Sequence, residues 1–166
     1  MIEIRRATKE ELIIIQHIGY KAYWATYPKI LGDKQVEYML EKFYNLKALK
    51  EQVEKGLIFL LCKNNHKDLA FASYSLNNAN SKIYHLQKLY VLPEAQGKGL
   101  GKLLIKTVIE NCKTKGGQLL QLNVNRYNDA RKFYEKIGFV AKNSVDIPIG
   151  GGYFMNDYIM ELDISF

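Results

Sequence analysis

The run Tyr90-Val91-Leu92-Pro93, followed closely by Gln96-Gly97-Lys98-Gly99-Leu100-Gly101-Lys102, constrains this chain more than any other feature. Residues suited to a strand end at a proline, which has no N–H to give a strand ladder. Three glycines then fall within five residues, and an apolar pattern of helical spacing begins. Glycine takes φ > 0 without steric cost and lets backbone N–H groups approach a ligand. The first turn of the following helix leaves N–H groups unpaired and carries partial positive charge. A strand–turn–helix junction of this kind is a cradle for phosphate oxygens. Lys98 and Lys102 add positive charge beside it. Taken alone, the same residues also suit a plain turn with surface lysines. The spacing matches neither G-x-x-x-x-G-K-[ST] nor G-x-G-x-x-G, so a P-loop and a Rossmann fingerprint are excluded.

Composition narrows the field further. A chain of 166 residues with 48% hydrophobic and 25% charged side chains reads as one globular domain rather than a disordered segment. No apolar run is long enough to span a bilayer. The opening Met1-Ile2-Glu3-Ile4-Arg5-Arg6 lacks the basic-then-apolar order of a signal peptide, so a cytoplasmic location and no membrane partner are expected. Cys62 and Cys112 lie far apart and outside any Cys-x-x-Cys pair, which argues against a disulfide framework and a zinc site. The net charge of +7 favours a negatively charged partner, either nucleic acid or a phosphorylated cofactor. The lysines are spread out, with no dense basic tract, and the phosphate cradle argues against nucleic acid.

Periodicity supplies an element order. Ile2 and Ile4 alternate with Glu3 and Arg5, as in a short strand. Thr8-Lys9-Glu10-Glu11 has the form of a capping box, and a first helix should run to about Tyr23. Asp33 is expected to cap a second helix carrying Val36, Met39, Leu40 and Phe43. A third covers Leu46 to Lys55, with Gly56 as its stop. Leu57–Lys63 and Leu69–Leu76 read as strands joined by a turn at Asn64–Asp68. A turn from Asn77 to Ser81 leads to a strand from about Lys82 to Leu92. Helix from about Gly99 to Lys115, strand at Leu119–Val124 and helix at Asp129–Ile137 follow. Two last strands, Phe139–Lys142 and Tyr153–Leu162, are expected to flank a Gly-rich loop. This is a mixed α/β (α+β) fold, with helices on both faces of a central sheet.

The junction also matches the Q/R-x-x-G-x-G/A motif of the GNAT superfamily of N-acetyltransferases, with Gln96, Gly99 and Gly101 on its defining positions. Leu89-Tyr90-Val91 resembles the strand before that motif, and Leu103-Leu104-Ile105 the start of its helix. The downstream run from Asn125 to Phe139 resembles the second signature, N-x-x-A-x-x-x-Y-x-x-x-G-F. Asn128, Ala130, Tyr134 and Gly138-Phe139 stand for its named positions. The resemblance implies a GNAT fold with a mostly antiparallel central sheet, residues 1–166 being a single N-acetyltransferase domain. It implies acetyl-CoA as co-substrate, no metal, and direct acetyl transfer to a primary amine, either a small molecule such as a polyamine or a protein or peptide amine. The pyrophosphate would lie on Gln96, Gly97, Lys98, Gly99, Leu100, Gly101 and Lys102. Backbone groups of Leu89, Tyr90 and Val91 would hold the pantetheine arm, and Asn128 would also touch the cofactor.

The resemblance assigns Tyr134 as the acid that protonates the leaving thiolate. A phenol with a pKa near 10 keeps its proton at neutral pH and can donate it. A glutamate base is common in relatives at the position occupied here by His85. Imidazole can take a proton at neutral pH, and ordered water is an equal alternative. Strand parity places His85, Gln87, Leu89 and Val91 on one face. Trp24, Tyr27 and Gln87 are candidates to line the acceptor pocket. The aromatic pair can pack on an aliphatic amine or attract a cation, and core packing suits it equally. Val36–Val53 and Phe139–Met160 are loosely similar to bacterial spermidine/spermine N-acetyltransferases. A CoA-binding regulator without turnover is the alternative reading, kept open by the missing acidic base. A homodimer is also left open.

Overall fold

The computed structural model describes residues 1–77 and 79–166. The expected turn from Asn77 to Ser81 includes Asn78, which lies outside the described residues. The seven strands hydrogen-bond in the order β1-β2-β3-β4-β5-β7-β6. They are β1 (Ile2–Arg6), β2 (Ile58–Asn64), β3 (Lys67–Asn77), β4 (Asn80–Val91), β5 (Leu119–Asn125), β6 (Val140–Gly150) and β7 (Tyr153–Asp163). The sheet is mostly antiparallel, and β4 with β5 is a parallel pair. The chain divides into two units: residues 1–75 with 88–108, and residues 76–87 with 109–166.

In the first unit, β1 pairs with β2 and β2 with β3. The Glu11 carboxylate accepts the Thr8 N–H at 3.1 Å, the expected capping contact, and a short 3-10 turn precedes the first helix. Arg5 ties this corner together, reaching Glu11 at 2.5 Å and Asp68 at 3.0 Å. Helix α1 covers Leu12–Thr26, one turn longer than expected, because nothing breaks it before Pro28. Helix α2 (Pro28–Leu31) follows. Gly32, at φ 82°, takes the capping position of α3 (Asp33–Tyr44). Asp33 is therefore the first helical residue, not the cap, and its side chain makes no capping bond. Asn45 does cap α4 (Leu46–Glu54), accepting the Ala48 N–H at 2.8 Å. Leu12, Ile15 and Ile18 of α1 and Val36, Leu40 and Tyr44 of α3 bury against this core, together with Leu61 and Phe71. Each such side chain contributes about 1.5–3 kcal/mol on burial. Gly19 is required for that packing, since a Cβ there would stand 2.4 Å from the Tyr44 ring.

In the second unit, β5 pairs with β7 and β7 with β6. Leu120, Leu122, Val124, Phe139 and Met160 are buried in its core. Helix α5 (Leu100–Thr114) belongs to both units, and α6 (Ala130–Ile137) to the second. Strand β6 runs far beyond the expected Lys142, as far as Gly150. Its residues are mostly exposed, so no apolar alternation announced it, yet its backbone pairs with β7 down to Gly150↔Tyr153. The expected Gly-rich loop shrinks to a tight turn at Gly151 and Gly152, both at positive φ. Cys62 and Cys112 are buried and unbridged.

Candidate functional site

The glycine-rich junction lies in the first unit. Pro93–Ala95 forms one 3-10 turn, and α5 begins at Leu100. Gly97 and Gly99 stand at φ 79° and 81°, left-handed conformations that side chains resist. A Cβ on either would meet nothing within 4 Å, so open space lies over the turn. The Gln96 side chain folds back to donate to the Val91 carbonyl at 3.3 Å, tying the turn to the strand end. Leu100 is buried and anchors the helix start, whereas Lys98 and Lys102 are exposed. The result is a turn open to solvent at a helix start, flanked by two ammonium groups. It can hold phosphate oxygens.

Strand β4 changes character along its length. Its register with β5 covers Ile83↔Leu119 to Leu86↔Leu122. Over that stretch burial alternates: Tyr84 and Leu86 are buried, His85 is half-buried and Gln87 is exposed. From Lys88 to Val91 every residue is half-buried and the alternation is gone. Simple parity therefore does not carry through from His85 to Leu89 and Val91. Beyond Leu86 no β5 residue is registered against β4, so backbone groups of Leu89, Tyr90 and Val91 stand past the end of that pairing.

The first unit also holds an aromatic cluster that no linear reading of the sequence exposed. The Tyr23 ring lies 4.7 Å from Tyr27, 5.2 Å from Tyr44 and 5.3 Å from Tyr90, and Tyr90 lies 5.8 Å from Phe71. Burial, with Tyr23 and Tyr27 close by, pushes the Tyr44 and Tyr90 phenols well above their ordinary range, so both stay neutral. The Tyr44 hydroxyl is buried without a hydrogen-bond partner. Lys88 enters this cluster. Its Nζ lies 5.6 Å from the ring centres of both Tyr44 and Phe59, and donates to Gln52 Oε1 at 2.6 Å. Burial alone lowers its pKa to about 8. Tyr27, an expected acceptor-pocket residue, belongs to the cluster, whereas Trp24 is 39% exposed. A lysine in an apolar strand was the only local signal. Its ring partners lie 29 to 44 residues away in sequence.

The second unit holds the titratable candidates. His85 sits in register with Gln121, which faces Glu161 on β7 and donates to its carboxylate at 2.6 Å. Burial lowers the His85 pKa, so the imidazole is neutral at pH 7 and free to take a proton. Asp157 is buried, which raises its pKa, while the Asn123 amide at 3.4 Å and the charge of Arg126 act the other way. Tyr134 is buried to 8% exposure, edge-on to Phe133 at 5.3 Å and Phe139 at 5.7 Å. Asn128 uses its Oδ1 to accept the Ala130 N–H at 2.9 Å, which opens α6. That bond gives its side chain a structural duty the sequence reading did not foresee. His17 and His66 are both exposed, His66 in the β2–β3 turn at φ 69°.

Comparison with known proteins fits these features. The chain is 28% identical over 149 residues to an uncharacterized N-acetyltransferase of Methanocaldococcus jannaschii, covering 86% of this chain but only 62% of that protein's length. It is 27% identical over 146 residues to a spermidine N(1)-acetyltransferase of Thermoplasma acidophilum, covering 86% of this chain and 91% of the relative. The structure of an N-acetyltransferase from Thermoplasma acidophilum, solved with coenzyme A, superposes with a TM-score of 0.84 at 24% identity, over 98% of this chain and 99% of that one. A family model described as an acetyltransferase (GNAT) domain matches residues 29–148. With most of its length matched and both signature motifs in place, the chain belongs to the GNAT acetyltransferase family.

Proposed function

We propose that this protein transfers the acetyl group of acetyl-CoA directly to a primary amine. The observation that carries the reading is the open turn with Gly97 and Gly99 at positive φ, at the start of α5 between Lys98 and Lys102. On this reading residues 96–102 bind the pyrophosphate through backbone N–H groups and the two ammonium groups. Backbone groups of Leu89, Tyr90 and Val91 hold the pantetheine arm, past the point where β5 pairing ends. An N–H of this strand polarises the thioester carbonyl. Asn128 contributes to the cofactor site through atoms other than the Oδ1 that opens α6.

The residues divide the proton handling between them. His85, neutral at pH 7, accepts a proton from the acceptor ammonium, directly or through water. The free amine attacks the carbonyl carbon, a C–N bond forms and the C–S bond breaks. Tyr134 donates its phenolic proton to the departing sulfur. Trp24, Tyr27 and Gln87 line the acceptor side. The relative named for spermidine makes a polyamine one candidate acceptor. The test is release of free CoA from acetyl-CoA against a panel of amines. Amine-dependent release with a stoichiometric N-acetyl product supports the reading. Tight acetyl-CoA binding with no release on any amine contradicts it.

A further inference from the structure

Lys88 is a buried ammonium for which the protein supplies no opposite charge. Its one hydrogen-bond acceptor is the neutral amide of Gln52 at 2.6 Å. Gln52 is itself fixed, because its Nε2 donates to the Phe43 carbonyl at 2.9 Å. The other neighbours are the faces of Tyr44 and Phe59, each centred 5.6 Å from Nζ. Aromatic faces soften an ammonium's desolvation without neutralising it. An ammonium has three donors, and one is used here. Nothing but burial acts on its titration. Beside it, the Tyr44 hydroxyl is buried with no partner. Two polar groups at one place therefore lack an acceptor, and one of them carries a charge. Buried polar groups left so are costly and call for an explanation.

From this arrangement we infer that Lys88 and the Tyr44 hydroxyl form a subsite for an acidic group, and that the acceptor is an amine bearing a carboxylate or phosphonate rather than a polyamine. A carboxylate or phosphonate supplies the missing charge and accepts hydrogen bonds from both groups. A polyamine brings further positive charge toward a cation that is already poorly solvated. Tyr27, already a candidate for the acceptor side, belongs to the same ring cluster through Tyr23 and Tyr44. The inference rests on the acetyl-transfer reading for the word acceptor, but the acidic subsite itself does not.

The test compares 2-aminoethylphosphonate, β-alanine, ethanolamine and spermidine as acceptors for the wild type, Lys88→Met, Lys88→Arg and Tyr44→Phe. The wild type should favour the two acidic amines over ethanolamine by at least about tenfold in kcat/KM, with spermidine the poorest. The phosphonate and carboxylate arms show which acid the subsite fits. Lys88→Met should abolish the preference while leaving the KM for acetyl-CoA unchanged. Lys88→Arg should keep most of it, and Tyr44→Phe, which removes only the hydroxyl, should reduce it. A preference for spermidine, or one unaltered in Lys88→Met, overturns the inference. If no amine is acetylated, the transfer reading falls and the subsite is read by equilibrium binding instead. Ethylphosphonate is titrated onto the CoA-loaded protein, so that the phosphate cradle is already filled. Binding that weakens at least about tenfold in Lys88→Met supports the subsite, and equal or absent binding overturns it.

Discussion

Lys88 and Asp157 are both buried ionisable groups, one in each unit, and the two are treated differently. Asp157 sits beside the Asn123 amide and within reach of the Arg126 charge, so burial is opposed by groups that favour the carboxylate. Lys88 has a neutral amide and two ring faces, and nothing opposes its burial. The contrast extends to the surroundings. The first unit gathers glycines, ammonium groups and phenols suited to holding a ligand. The second carries His85 and Tyr134, groups suited to moving protons. A buried charge with its compensation built in reads as structure. One without it reads as a place where compensation arrives from outside.

If this division of labour holds, the largest effect belongs to the second unit. Tyr134→Phe should lower kcat by roughly 10²–10⁴-fold with acetyl-CoA affinity nearly unchanged, since only the phenolic proton is lost. Single-turnover kinetics with calorimetry checks both halves. An unchanged chemical step would take Tyr134 out of the reaction.

Next in size is the stability cost of Lys88. Its folded pKa of about 8 lies below the unfolded value near 10.5, a gap worth up to about 3 kcal/mol. Because the folded value is the lower one, stability is lost as pH falls from about 10.5 to about 8 and stays low below that. Lys88→Met, which keeps the chain length and removes the charge, should be more stable than the wild type at pH 7. That advantage should shrink steadily above pH 8. Denaturant melts across this range decide it, and a variant less stable at pH 7 would mean that the lysine is compensated after all.

A smaller effect is expected at His85. Burial lowers its pKa, so kcat/KM should rise with pH through an apparent value below 6.5 and then level off. His85→Gln should remove that limb and lower the rate by roughly 10²-fold, the low end for a general base. Two acceptors of different amine pKa separate the enzyme's limb from the substrate's. A limb that persists in the variant at near-parent rate assigns the base role to water.

Smallest is Asp157→Asn. Its raised folded pKa contributes stability at low pH that is lost as pH rises through the folded value. The asparagine variant should therefore gain on the wild type as pH rises above 4, by less than about 1 kcal/mol, because Asn123 and Arg126 already offset the burial. A gain as large as that of Lys88→Met would erase the contrast between the two units.

Much of the frame was legible because its signals are local. The capping box at Thr8, the glycine stops and the strand–turn–helix junction each depend on residues within a few positions of one another, and each lies where the spacing put it. Strand β6 was shortened because an exposed strand of Asn143, Ser144 and Asp146 carries no apolar alternation, and only its backbone pairing defines it. Asp33 looked like a cap, but Gly32 alone takes the φ of 82° that the chain requires there. The tyrosine cluster was hidden for another reason. Tyr23, Tyr44 and Tyr90 meet only in three dimensions, and Gly19, an unremarkable helix glycine in sequence, makes room for the Tyr44 ring. Parity failed along β4 because the strand changes partners after Leu86.

The central claim is that the turn at Gly97–Gly101 holds acetyl-CoA by its phosphates. Gly99→Asp tests it most directly. The change forces a side chain onto a residue at φ 81° and places a negative charge where phosphate oxygens are to lie. Calorimetric titration of acetyl-CoA into the wild type and this variant, with folding confirmed by thermal melts, gives the answer. The account predicts affinity weakened by at least about tenfold, roughly 1.4 kcal/mol. Equal affinity in a folded Gly99→Asp protein would contradict it.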